Sequence, residues 1–164
     1  MPANSRPTIL YCGIVPYDSI RQRPQWLAEG IADRARVLYL NPHRSRLGGG
    51  DGRETLIRMS ENLAVMTPPA SMPLTGYWRP LNRLSYRRTA KKLLASFSHL
   101  GWSLPKAHYL SFPKQIDLLG NLPHAPVCYD VMDDYPNFFD PMQARVLTRL
   151  HEELLGRSDV VVAS

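Results

Sequence analysis

Apolar residues along this chain gather into short runs, separated by longer stretches in which they recur every three or four positions. Short continuous runs fit strands buried on both faces, and the intervening periodicity fits helices, which is the alternation of a parallel sheet with helical crossovers. Thr8 to Val15 is the first run, and it ends at Pro16. Leu27 and Ile31 predict a helix from Pro24 to Ala35, with Pro24 suited to its first turn. Val37 to Leu40 predicts a second strand and Leu63 to Met66 a third, while residues 44–53, glycine-rich and without period, predict a mobile loop.

From Trp78 to Leu100 the pattern is helical, with Leu81, Leu84, Leu93, Leu94 and Phe97 offered to a buried face. Ala107 to Phe112 and Pro126 to Met132 predict the fourth and fifth strands. Met142, Val146, Leu150 and Leu154 repeat every four residues in an amphipathic helix that stops near Gly156, before a sixth strand from Asp159 to Ala163. The expected fold is α/β, one Rossmann-like parallel sheet flanked by helices, with residues 1–164 as a single domain. A parallel strand normally leads into a helix that covers the sheet, so a chain ending on such a strand reads as part of a longer protein.

Length bounds this reading: 164 residues allow one domain with a real core. With 44% hydrophobic and 21% charged residues, collagen-like, coiled-coil and disordered classes fall away. No run approaches the ~20 apolar residues of a membrane-spanning helix, and residues 1–7 lack the layout of a secretory signal. Cys12 and Cys128 sit inside strand-like runs rather than in a paired motif, which argues against a disulfide framework or a zinc site and fits a cytoplasmic protein. A formal charge of +6 favours an anionic partner.

Three groups of residues carry candidate chemistry. Tyr17 to Ala28 spans the carboxyl end of the first strand and the start of the first helix, where open α/β sheets bind ligands. Arg21 and Arg23 there oppose the helix dipole by roughly 0.3–1 kcal/mol each, a conflict that a bound phosphate or carboxylate would relieve. Pairing with acids on neighbouring loops would relieve it equally. Asp130, Asp133 and Asp134 crowd the end of the fifth strand, where sugar hydroxyls could receive them. Capping of the next turn, or pairing with Arg21 and Arg23, is the plainer alternative.

The third group is the basic stripe Arg79, Arg83, Arg87 and Lys91, four apart on the long helix with Trp78 and Leu84 nearby. Such a helix lies on an anionic membrane surface in some proteins and is simply solvated in more. Nucleic acid is not an expected partner, because aromatic residues do not interleave with the basic ones. Gly48 to Gly52 matches neither GxGxxG nor a phosphate-binding loop. The five histidines are scattered without metal-ligand spacing, so no metal is expected.

The sequence from Arg21 to Ala28 (RQRPQWLA), Val37 to Pro42 (VLYLNP), Tyr129 to Asp134 (YDVMDD) and Glu153 through Ser158 to Ser164 resembles the amino-terminal half of GT-B glycosyltransferases. Within these it is similar to the retaining, family-4-like group that includes teichuronic-acid biosynthesis enzymes. The resemblance implies an acceptor-side domain without a cofactor of its own, facing a second domain that holds a nucleotide-sugar donor. It implies transfer of a sugar to a cell-envelope or polysaccharide acceptor, free or lipid-linked, at the inner face of the membrane. On that reading Asp18, Arg21, Arg23, Gln25, Asp130, Asp133 and Asp134 meet the acceptor, and the stripe from Arg79 to Lys91 meets the membrane. A self-contained Rossmann-like binding or regulatory domain without catalysis is the rival.

Overall fold

A computed structural model of the chain describes residues 6–44 and 53–163, so most of the expected glycine loop lies outside the described residues. Seven strands form one sheet: β1 (Thr8–Cys12), β2 (Arg36–Leu40), β3 (Thr55–Arg58), β4 (Leu63–Thr67), β5 (Ala107–Leu110), β6 (Val127–Val131) and β7 (Val160–Ala163). Their order is β3-β4-β2-β1-β5-β6-β7. Every neighbouring pair is parallel except β3 against β4.

The strand Thr55–Arg58 departs from the sequence reading. It is an exposed antiparallel edge strand hydrogen-bonded back to β4 through a tight connection, and only Leu56 packs against the core. Four residues with one apolar contact leave almost no periodic signal.

Among the described residues four α-helices occupy the connections: α1 (Arg23–Ala32), α2 (Arg79–Leu100), α3 (Ile116–Leu119) and α4 (Pro141–Arg157). From β1 the chain winds to one side through α1 into β2, and after β4 it crosses back through α2 to the other side of β1. Right-handed crossovers running in opposite directions must place their helices on opposite faces. Leu10, Cys12, Leu38, Leu40 and Met66 accordingly pack with the face bearing Tyr86, Leu93, Phe97 and Leu150, while Tyr11, Val37, Tyr39 and Val65 pack with Ala28. Strands buried on both faces explain the continuous apolar runs in the sequence.

Helix α2 does not bury the face first expected. Leu93 and Phe97 are buried, but Leu84 is exposed, because the buried line runs back through Ala90 and Tyr86 to Asn82. At 3.6 residues per turn Leu84 falls on the far side. In α4, Leu147, Leu150 and Leu154 are buried while Met142 is exposed, since a strict spacing of four drifts off the face. Asp140 caps this helix by accepting from the Met142 and Gln143 amides at 3.0 and 3.1 Å.

On the α1 face, three tyrosines stand in register on adjacent strands. Tyr11 pairs across β1 and β2 with Tyr39 and across β1 and β5 with Tyr109, and the rings stack with centroids 5.3 and 4.5 Å apart. Tyr39 also donates its hydroxyl to the Val15 carbonyl at 2.8 Å, pinning the loop that leaves β1. Gly13 ends β1 under that ring: a Cβ there would stand 2.0 Å from the Tyr39 hydroxyl oxygen. Because Tyr39 is fully buried, stacked and hydrogen-bonded, it has no free rotamer to give way. Gly13→Ala is therefore expected to destabilise the fold by about 1–3 kcal/mol, the range for overpacked cores. Urea denaturation followed by circular dichroism measures this, and an unchanged midpoint would show that Tyr39 can move.

Candidate functional site

Because β2 and β5 flank β1 on opposite sides, the loops leaving β1 and β5 diverge and open a fork at the carboxyl edge of the sheet. Gln115 closes the floor of that fork. Its amide nitrogen donates to the Gly13 carbonyl at 3.1 Å, and its amide oxygen accepts from the Ser111 and Phe112 backbone at 2.8 and 3.0 Å. Above it lies a cavity of about 490 Å³ lined by residues of the loops after β1, β2, β5 and β6 and by the first turns of α2.

The α2 wall carries buried polar groups, each with a task. Thr89 shares a hydrogen bond of 2.7 Å with His43, whose ring also packs on Tyr86 at 4.7 Å. Ser85 accepts from the Met72 amide at 3.0 Å, and Asn82 donates to the Lys114 carbonyl and to Asp117 at 3.1 and 2.8 Å. Across from α2, Phe112 meets Tyr135 edge-on at 5.1 Å, and Phe138 and Phe139 continue the aromatic side. Burial and the charge of Lys114 push the His43 pKa down to about 4, so its ring is neutral at physiological pH. The opening therefore offers aromatic faces, one ammonium from Lys114 and one carboxylate from Asp133.

Of the residues expected from sequence, Asp133 alone lines this cavity. Asp130, expected to meet sugar hydroxyls, is fully buried: one oxygen receives Arg23 at 2.9 Å and the other the Tyr109 hydroxyl at 2.7 Å. Arg23 and the fifth predicted strand do converge, and the arginine is paired by doing so. Gln25, also expected at the acceptor, is buried in the first turn of α1, where its amide nitrogen donates to the Pro16 carbonyl at 3.2 Å and its oxygen accepts from the Gln22 amide at 3.1 Å. Asp134 precedes the turn Tyr135–Phe138 and accepts from the Asn137 amide at 2.6 Å.

Asp18 and Arg21 border a different cavity of about 670 Å³, on the α1 face beside Asn41 and Arg44. Arg21 pairs there with Glu29 and lies over the Trp26 ring at 4.5 Å. The dipole conflict at α1 is thus relieved by side-chain carboxylates. Lys114, His43, Tyr135 and Phe112, which the sequence reading missed, had one legible signal: they cluster around the ends of β2, β5 and β6, where a doubly wound sheet places its ligand.

The basic stripe also divides. Arg79 stands eighteen residues, five helical turns, before buried Phe97 and so faces inward, where it meets Asp117 at 3.1 Å and Glu153 at 2.6 Å. Each step of four rotates by about 40°, carrying Arg83 partly and Arg87 and Lys91 fully to the surface. Arg79 is a framework cation rather than part of an exposed stripe. Among the described residues no helix is long and apolar enough to cross a membrane, and no group of three His, Cys, Asp or Glu could hold a metal ion.

No protein-family model matches the sequence, and no curated protein does. Solved structures do match it. Trehalose-6-phosphate synthase from E. coli, bound with UDP-2-fluoro glucose, aligns over 94% of this chain and 39% of its own, with a TM-score of 0.52 and 12% identity. An alpha,alpha-trehalose-phosphate synthase (UDP-forming) from Burkholderia vietnamiensis aligns over 96% of this chain and 40% of its own, with a TM-score of 0.45 and 14% identity. The chain spans about two fifths of the length of these structures. At this identity the likeness is one of fold: the chain has the Rossmann-like α/β architecture found in a GT-B glycosyltransferase.

Two predictions follow from the charges. Arg23→Ala strands a buried carboxylate and is expected to cost about 3 kcal/mol, whereas Arg21→Ala removes a half-exposed pair and should cost less than about 1. Chemical denaturation of both variants decides this, and equal costs would deny Asp130 its framework role. For His43, an unfolded chain takes up a proton near the ordinary value of 6.5 while the folded chain resists until about 4. The native state thus binds fewer protons in that window, and stability falls as pH drops through it, by no more than about 3 kcal/mol. The loss between pH 7 and 4.5 should be smaller in His43→Gln, and an identical loss would place the titrating group elsewhere.

Proposed function

We propose that this chain is the acceptor-side half of a glycosyltransferase, which seats a saccharide in the fork cavity while a facing domain presents a nucleotide-sugar donor. The observation that carries this reading is the cavity itself: open, aromatic-sided and placed at the switch point of a GT-B-type sheet. Phe112 and Phe138 suit the apolar face of a sugar ring, and Asp133 suits its hydroxyls. His43, neutral and engaged by Thr89, serves as wall rather than as base. Arg23, Asp130, Gln25 and Gln115 act one layer below by fixing the loops that carry these groups.

An acceptor built into cell-envelope or other surface polysaccharide, reached from the cytoplasmic side of a membrane, is the setting we favour. The exposed Arg87 and Lys91 and the net positive charge support it. The neighbouring E. coli structure holds a UDP-sugar analogue, which makes UDP-sugars the first donors to try.

Phe138 is 70% exposed, so its removal should leave the fold intact. In steady-state assays of the protein carrying both domains, Phe138→Ala is expected to raise the acceptor KM about tenfold with the donor KM unchanged. A rise in donor KM instead, or no change in either, would contradict acceptor binding in this cavity.

A further inference from the structure

Part of the wall of the fork cavity is a strap. Residues 71–78 lie between β4 and α2, and Ser71 and Thr75 line the cavity on the way. The near end is tied down: the Ser71 amide donates to the Arg44 carbonyl at 3.1 Å, and the Met72 amide to the buried Ser85 hydroxyl at 3.0 Å. At the far end Trp78 accepts from the Leu81 amide at 3.1 Å as α2 begins. Between these anchors the backbone turns on itself, the Leu74 carbonyl accepting from the Tyr77 and Trp78 amides at 3.0 Å each. Among the described residues, 73–77 make one hydrogen bond to the rest of the protein, from the Tyr77 hydroxyl to Asp140 at 3.0 Å.

Two observations set this turn apart. Leu74 has a φ of 62°, and among the described residues no other non-glycine residue has a positive φ. A Cβ is unfavourable there, and the Leu74 side chain is 63% exposed, so no packing of its own compensates. Strain of this kind persists only where contacts elsewhere impose it, and it collects at ligand clamps and switches.

The contact that imposes it is also separable from its support. Asp140 caps α4 through Oδ1, which accepts from the Met142 and Gln143 amides, while Oδ2 accepts from the Tyr77 hydroxyl and the Gln143 side chain. Releasing Tyr77 therefore leaves the cap whole. Gly76 rests on the same side of the opening, where a Cβ would stand 2.8 Å from Gln143 Oε1 and 3.3 Å from Lys114 Nζ. The strap thus meets the far wall through the ends of flexible side chains.

Resting on the fork cavity being a ligand site, whatever ligand it takes, we propose that residues 73–77 open and close its mouth by swinging about Met72 and Trp78. Strain at Leu74 favours the open state, and the bond from Tyr77 to Asp140 favours the closed one. Closure joins the wall carried by α2 to the first turn of α4.

Two measurements on the protein without ligand test this. In amide exchange followed by NMR, Tyr77→Phe removes the bond and keeps the ring, and should speed exchange at residues 77 and 78 about tenfold. Met142 and Gln143 should exchange as before, because their acceptor is the other oxygen. Leu74→Asn, which tolerates a positive φ, should slow exchange at 77 and 78 about fivefold. Both replaced side chains are exposed, so the core packing is untouched. Access is read separately by maleimide labelling of Ile14→Cys, which lines the cavity from the loop after β1, in a Cys128→Ser background, with Cys12 fully buried. Labelling should run several-fold faster with Tyr77→Phe and slower with Leu74→Asn. Exchange shifted in the same direction by both variants, or labelling unaffected by either, would overturn the proposal. Neither readout involves a sugar: a moving strap over a cavity that binds no saccharide removes only the acceptor reading, and a fixed strap beside a cavity that binds one removes only the gate.

Discussion

A parallel sheet wound outward in both directions from one strand cannot close its own centre. The backbone leaving β1 and the backbone leaving β5 part company, and the carbonyl and amide groups at the parting have no strand to pair with. Gln115 resolves this with one side chain, taking two amides and one carbonyl that would otherwise be buried unsatisfied at roughly 1–3 kcal/mol each. The cavity exists because a side chain, and not a continuing strand, fills the fork. Its walls are then determined by which residues happen to follow each strand.

The same economy runs through the charges. Asp130 meets Arg23, Asp117 meets Arg79, and Glu29 meets Arg21, so acids and bases that look like site residues in the sequence hold the scaffold together. Among the described residues the two buried acids, Asp117 and Asp130, each sit at a junction: the first joins α2 to α3, the second joins α1 to β6 and β5. Such pairs fix geometry more than they add stability, since desolvation offsets much of their attraction. What they leave over, Lys114 and Asp133, is what faces the opening.

The sheet was readable because six of the seven strands are short apolar runs, as the central ones, covered on both sides, must be. Thr55–Arg58 gave no such signal, being an exposed edge with a single inward residue, and neither did the one-turn helix Ile116–Leu119, too short for a period to appear. The motif from Tyr17 to Ala28 was correctly placed at a loop and helix start, and Arg23 did approach the aspartates. Residue type could not say whether that approach leaves a charge free or cancels it. Polar residues on α2 escape the sequence reading for a related reason: Asn82, Ser85 and Thr89 are buried, with partners that are backbone groups, a carboxylate and an imidazole distant in sequence.

The stacked phenols on β2, β1 and β5 have a further consequence. Three aromatic chromophores held nearly parallel with centroids 5.3 and 4.5 Å apart couple their electronic transitions, an effect that disappears once the strands separate. All three tryptophans lie away from this stack, on α1, before α2 and after it. Tyrosine ellipticity in the near ultraviolet is thus an intrinsic reporter of the sheet's central zipper, distinct from the indole signal, and requires no label.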